Sequence, residues 1–220
     1  MRLLELLEDN DIFEEFDLVE RSSSIYDQAL PLLSDLMDGA DDEPFGEDFW
    51  HDNHDWLHDQ YELDDIDDMF ELMDENEELK QLYDREYERY LLGRIQDAYN
   101  RVLYQLDGDG KTYVILHRMI TAPADWHTKI AERPLGVYWS YDEHSAEAHW
   151  GSTGQTYYLM KSKAPLGAID WATTVAQNAH PVYEDEAEIK LIEGSVVELL
   201  SVSVGGEELE DIGLPARFEV

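Results

Sequence analysis

Residues 183–202 read YEDEAEIKLIEGSVVELLSV, an acidic run that ends where a strand-like alternation begins. On a strand, residues two apart share a face. Glu186 and Glu188 are therefore expected to project together, with Ile189 and Leu191 directed to the opposite, buried face. Two carboxylates held side by side resist ionising together, so their pKa values part. Labour can then divide: one steadies a cationic centre or orients a hydroxyl, and the other takes a proton. The same pattern also suits a solvated acidic strand edge, and Glu75-Asn76-Glu77 shows how readily E-x-E arises in this chain. Glu184 and Glu186 form a second pair of equal spacing; the alternation starting at Ile189 favours Glu186 and Glu188. Arg118 stands within the apolar LHRMI (116–120), where a guanidinium calls for a phosphate or a carboxylate to fork onto. Ser140 ends the aromatic GVYWS, where its hydroxyl either supports a carboxylate or a ligand, or caps the following helix.

These residues need strands to hold them. KTYVILHRMI (111–120), LGVYWSYDE (135–143) and QTYYLMKSKA (155–164) read as strands, and so do EAEIKLI and SVVELLSVSV, joined at Glu193-Gly194. HSAEAHW (144–150) and DWATTVAQN (170–178) read as short helices. This half has no regular βαβ alternation and is α+β. Residues before LDGDGKTY (106–113) read as helical. SSSIYDQALPLLSDLMDG (22–39) suggests a helix capped at Ser24, with Ile25, Leu30, Leu33 and Leu36 on its apolar face and Pro31 as a kink or a later start. ADDEPFGEDFW (40–50) reads as a loop, and one long helical pattern runs from Asp65 to Leu106. The division is thus an acidic helical module, 1–106, and a second domain, 107–220.

Charge separates the two parts as well. The chain of 220 residues has 52 Asp+Glu against 15 Lys+Arg, a formal net charge of −37. Residues 1–100 hold 33 of those acids and 6 of those bases, net −27; the remainder is net −10. Such a field repels phosphate backbones and anionic membranes, so neither nucleic acid nor membrane is expected as a direct partner, and a protein with a basic surface is. Cys is 0, which removes thiolate chemistry and disulfides and fits a cytoplasmic protein.

The three stretches, in this order, resemble the mono-ADP-ribosyltransferases of the Arg–Ser–Glu class: an Arg on a first strand, an aromatic-x-Ser strand before a helix, and E-x-E on a late strand. EAEIKLIEGSVVELLSV carries most of the likeness, which covers about residues 110–204. The resemblance implies a split β-sandwich behind the acidic module, and NAD as co-substrate. It implies that Arg118 contacts the phosphates of NAD and that Ser140 helps hold the nicotinamide-ribose region or the catalytic Glu. Glu188 would bind the ribose and stabilise positive charge as nicotinamide leaves, and Glu186 would orient or deprotonate the acceptor, an Arg side chain of a protein. The family's Ser-Thr-Ser is Ser140-Tyr141-Asp142 here, and its Gly after the Arg is Met119. All four residues are expected around one pocket sized for a dinucleotide. The other readings are an acidic decoy that imitates nucleic acid and binds a basic protein, and an inert structural or adaptor protein in which the three motifs are packing accidents.

Two weaker signals lead elsewhere. His51, His54 and His58 recur at near-helical spacing and read as an exposed polar helix rather than a metal site. LDGDGK (106–111) has a calcium-loop flavour, but Leu116 stands where the twelfth-position carboxylate belongs, and the segment reads as a turn.

Overall fold

The computed structural model of the chain describes residues 10–37, 44–106, 112–132, 135–148, 156–183, 186–210, 214 and 216–220. Helix α1 spans Asn10–Met37. Its Ala29, Leu33 and Met37, spaced by four, are fully buried, whereas Leu36 is exposed; side chains four apart stack on one helix face. Ser24 is not a cap: it lies inside α1, where its carbonyl and hydroxyl both accept from the Gln28 amide. The helix continues through Pro31.

Helix α2, Pro44–Tyr61, replaces most of the expected loop. Proline is well placed in a first helical turn, because the N–H it lacks would have no partner there. The long pattern from Asp65 divides into α3, Ile66–Glu75, and α4, Glu77–Leu106. Asp65 caps α3 by accepting from the Asp68 N–H at 2.9 Å. Asn76 makes the break. Its backbone N–H ends α3 on the Leu72 carbonyl, and its side chain accepts from the Leu79 N–H at 3.0 Å to start α4. An Asn side chain that competes for backbone partners favours such a junction over a helix interior. Phe45, Phe49, Leu57, Met69, Leu79 and Tyr83 belong to one buried cluster in these helices.

The chain forms two compact units, Met1–Asp97 and Ala98–Val220. The second takes in the last turns of α4, with Val102 and Leu106 in its core. It is mixed α+β. Its strands are β1 Tyr113–Ala122, β2 Tyr138–Ser140, β3 Thr156–Pro165, β4 Glu188–Lys190, β5 Val196–Val204, β6 Glu207–Glu208 and β7 Ala216–Glu219. All pairings are antiparallel, in the order β4-β2-β1-β3-β5-β6, with β7 also on β5. Helices α5, Glu143–Ala148, and α6, Trp171–Ala179, complete it.

Strands β4 and β5 are consecutive in the chain but do not pair, because β2, β1 and β3 lie between them. Four inter-strand steps in a flat sheet would cover about 19 Å. The short link folds back instead: the Ser195 N–H bonds the Ile192 carbonyl at 3.0 Å, and Gly194 has φ +81°. The sheet therefore bends around its core, and Ile189, Leu191, Val197 and Leu199 share one buried cluster with Leu116, Trp139 and Met160. Residues 107–111, with the calcium-like Asp107 and Asp109, lie outside the described residues.

Candidate functional site

Strand β2 is three residues long, yet it aligns two of the four candidate residues with its neighbours. Ser140 is the Cα partner of Glu188 on β4, and of His117 on β1. Directly opposed residues of antiparallel strands project to the same side. The three side chains thus leave one face in a row. The turn after β2 is tied in place. The Ser140 hydroxyl accepts from the Asp142 N–H at 3.0 Å, and Asp142 accepts from the Ser145 N–H at 2.7 Å. The Ser145 N–H, ahead of the smaller opposing effect of burial, holds the Asp142 carboxyl below its ordinary range.

Glu186 does not reach this face by strand alternation. Strand β4 begins at Glu188, and Ala187 before it is in the left-handed region, φ 52°. The Ala187 carbonyl accepts from the Tyr141 N–H at 3.1 Å, which fixes this turn against the end of β2. Glu186 and Glu188 then line the same cleft, together with Arg118 and Ser140. Glu184, the other member of the alternative pair, lies outside the described residues.

Arg118 follows His117 on β1 and starts from the opposite face, the one that carries Leu116. Its Nη1 donates to the Tyr138 carbonyl. Gly136, at φ +79°, leaves room for the guanidinium: a Cβ there would stand 2.8 Å from Nη1 and 2.9 Å from Cζ. The Gly136 carbonyl is in turn held by the Trp139 indole N–H at 2.8 Å. Burial lowers the Arg118 pKa and the charge of Glu188 works against that shift. The guanidinium remains a cation at any ordinary pH, since its starting value is so high. Its buried Nε has no hydrogen-bond partner among the described residues.

Helix α6 is the scaffold behind β4. The Asn178 amide donates to the Glu188 carbonyl at 2.7 Å, and the Thr174 hydroxyl accepts from the Lys190 N–H at 3.0 Å. Asp170 caps the helix through the Thr173 N–H at 3.2 Å and pairs with Lys190 Nζ at 3.1 Å. At the other end, Arg101 of α4 donates to the Asn178 carbonyl at 2.6 Å, a cation where a helix terminus is partially negative.

The cleft is about 130 Å³ and opens into solvent. Sites for drug-sized ligands run from roughly 300 Å³ upward, so the space inside the cleft is smaller than the dinucleotide-sized pocket expected. Two aromatics, Tyr138 and Trp139, border the cleft. Trp139 is a core residue, 2% exposed, whereas Tyr138 is 40% exposed and available to a ligand.

His117, Gly136 and Asn178 escape the sequence reading. The signal for His117 was its place beside Arg118 in an apolar strand; the other two act through packing and backbone contacts that no spacing announces. His51, His54 and His58 lie on α2, and among the described residues no group of three His, Asp or Glu is arranged to hold a metal ion. Among the same residues no helix is long and apolar enough to cross a membrane. No protein-family model, curated protein or solved structure matches the chain.

Proposed function

We propose that the second unit is an NAD-dependent mono-ADP-ribosyltransferase domain of the Arg–Ser–Glu class, with the split β-sandwich of that family, and that it modifies an Arg side chain of a protein. The observation that carries this reading is the convergence of Arg118, Ser140, Glu186 and Glu188, from three distant stretches, on one cleft. The Arg118 guanidinium at the cleft is a donor fork suited to a phosphate. The cleft takes the nicotinamide-ribose end, and the rest of the dinucleotide lies along its open side.

In this reading NAD supplies a ribose whose bond to nicotinamide breaks with the electron pair leaving on the nitrogen. Glu188 accepts a hydrogen bond from the ribose and stabilises the positive charge that develops there; a fixed carboxylate in a partly dry site is effective because it need not reorganise. Ser140 steadies that carboxylate from the neighbouring strand. Glu186 takes the proton of the attacking guanidine nitrogen. Nicotinamide release from NAD, measured with and without a basic acceptor protein, tests the reading. Glu188→Gln, with fold checked by circular dichroism, should lower release by about 10²–10³-fold. Equal release by the variant and the wild type would sink the assignment.

A second reading has its own observation. On α3 and α4, Asp67, Asp68, Glu71, Asp74, Glu75 and Glu78 are all exposed, a carboxylate display suited to a decoy for a basic protein. Binding of that kind weakens steeply with salt and is indifferent to Glu188→Gln.

A further inference from the structure

His117 extends the row of Glu188 and Ser140 by one strand. It is 8% exposed, yet it borders the cleft. The register places it directly across from Ser140, and each step along the row is about 5 Å. Its Nδ1 is buried and has no hydrogen-bond partner among the described residues. Glu143 Oε2 stands 3.8 Å away, close enough to attract a proton and too far for a hydrogen bond.

We propose that His117 is a further ligand-binding residue of the cleft, accepting a hydrogen bond from a ribose hydroxyl while the nearby charge of Glu143 favours the ring proton on Nδ1. The inference rests on the reading of the cleft as an NAD site. The carboxylate of Glu143 favours the tautomer with Nδ1 protonated, which leaves the lone pair on Nε2. Nδ1 is buried, so the ligand contact is assigned to Nε2. The row then offers a ribose a carboxylate, a hydroxyl and an imidazole from one rigid face.

Burial lowers the His117 pKa below 6.5; Lys161, its register partner on β3, acts in the same direction, while Glu143 and Asp142 oppose. Ser140 on β2 adds no charge, and Arg118 is the next residue of the strand. The ring is therefore neutral at neutral pH. Protonation would remove the acceptor and place a second cation beside Arg118. Ribose binding through His117 should fall as the pH drops below 6.5 and through the lowered value.

Calorimetric titration of ADP-ribose into the full chain tests this, at about pH 7.5 and about pH 5.5, on either side of an ordinary imidazole pKa. His117→Phe, which keeps bulk and removes the acceptor, should weaken binding roughly tenfold at the higher pH. His117→Gln, which restores a neutral acceptor, should recover most of that loss and respond less to acid than the wild type. If His117→Phe binds as tightly as wild type, the assignment is wrong. It is also wrong if His117→Gln binds as weakly as His117→Phe and keeps the wild-type acid response. Should His117→Phe not fold, His117→Gln and the acid response of the wild type decide the matter alone. Wild-type protein that takes up neither NAD nor ADP-ribose overturns the NAD reading itself, whereas binding that ignores His117 overturns only this inference.

Discussion

Gly136 is the residue on which the position of Arg118 turns. A methyl group at its Cα would meet the guanidinium at under 3 Å, and the backbone there has φ +79°. Gly136→Ala should therefore do two separable things. It should cost about 1–2 kcal/mol of stability, as an L side chain in the left-handed region does. It should also push the flexible end of Arg118 away from the Tyr138 carbonyl and out of its place, weakening ADP-ribose binding by roughly tenfold. A double-mutant cycle with Arg118→Ala isolates the second effect: Gly136→Ala should change binding little once the guanidinium is gone. Additive losses would mean that Gly136 acts on the cleft without Arg118. At this scale the sequence was informative about chemical type and silent about posture. Arg118 stood out because a cation is costly in an apolar strand. Nothing in GVYWS said that its leading glycine makes the space the cation occupies.

Among the elements, α6 and β4 form the joint that presents Glu188. Asp170 serves both, as the cap of α6 and as the partner of Lys190. Burial works to raise its pKa, but hydrogen bonds from Thr173 and Lys190 and the Lys190 charge outweigh it, and the net shift is downward. A carboxyl with a lower pKa folded than unfolded stabilises the fold above the unfolded value and loses that contribution as the pH falls through the folded one. Asp170→Ala should thus cost roughly 1–2 kcal/mol near pH 7, mostly through the lost cap. The charge-dependent part of that difference should shrink below pH 3.8, the unfolded reference. Urea titrations at several pH values check it; a difference that grows as acid is added would refute the account. The helix itself was legible, since DWATTVAQN opens on a natural cap, Asp170. The strands around it were legible as segments too, because Val, Ile, Leu and aromatic residues alternate. Their order was not. The pairing of Ser140 with Glu188 depends on β4 joining β2 across the bent sheet, and no local period encodes which distant strand becomes a neighbour. The helical half shows the converse: Asn76 broke a pattern that hydrophobic spacing alone continued, and Pro44 opened a helix where acidic loop composition was read.

The whole molecule carries its charge unevenly. Residues 1–97 hold 33 acids and 6 bases, net −27, and 98–220 are net −10, which together make the stated −37. Like charges raise the free energy of a compact state, and added salt screens them beyond about 10 Å at 0.1 M. The first unit should gain more from salt than the second. Calorimetry of the full chain at low and moderate NaCl concentrations can separate them if each unit melts cooperatively. Asp170→Ala labels the transition of the second unit, because Asp170 and its partners all belong to it. The transition that this substitution leaves in place is the first unit's, and it should rise by several degrees, about 4–8 °C for each 1 kcal/mol of relieved repulsion in a unit of this size. A salt response equal in both transitions, or larger in the labelled one, would show that the −27 is already balanced within its own fold. The first unit would then have no electrostatic reason to seek a basic partner, and the decoy reading would lose its support while the cleft in the second unit kept its own.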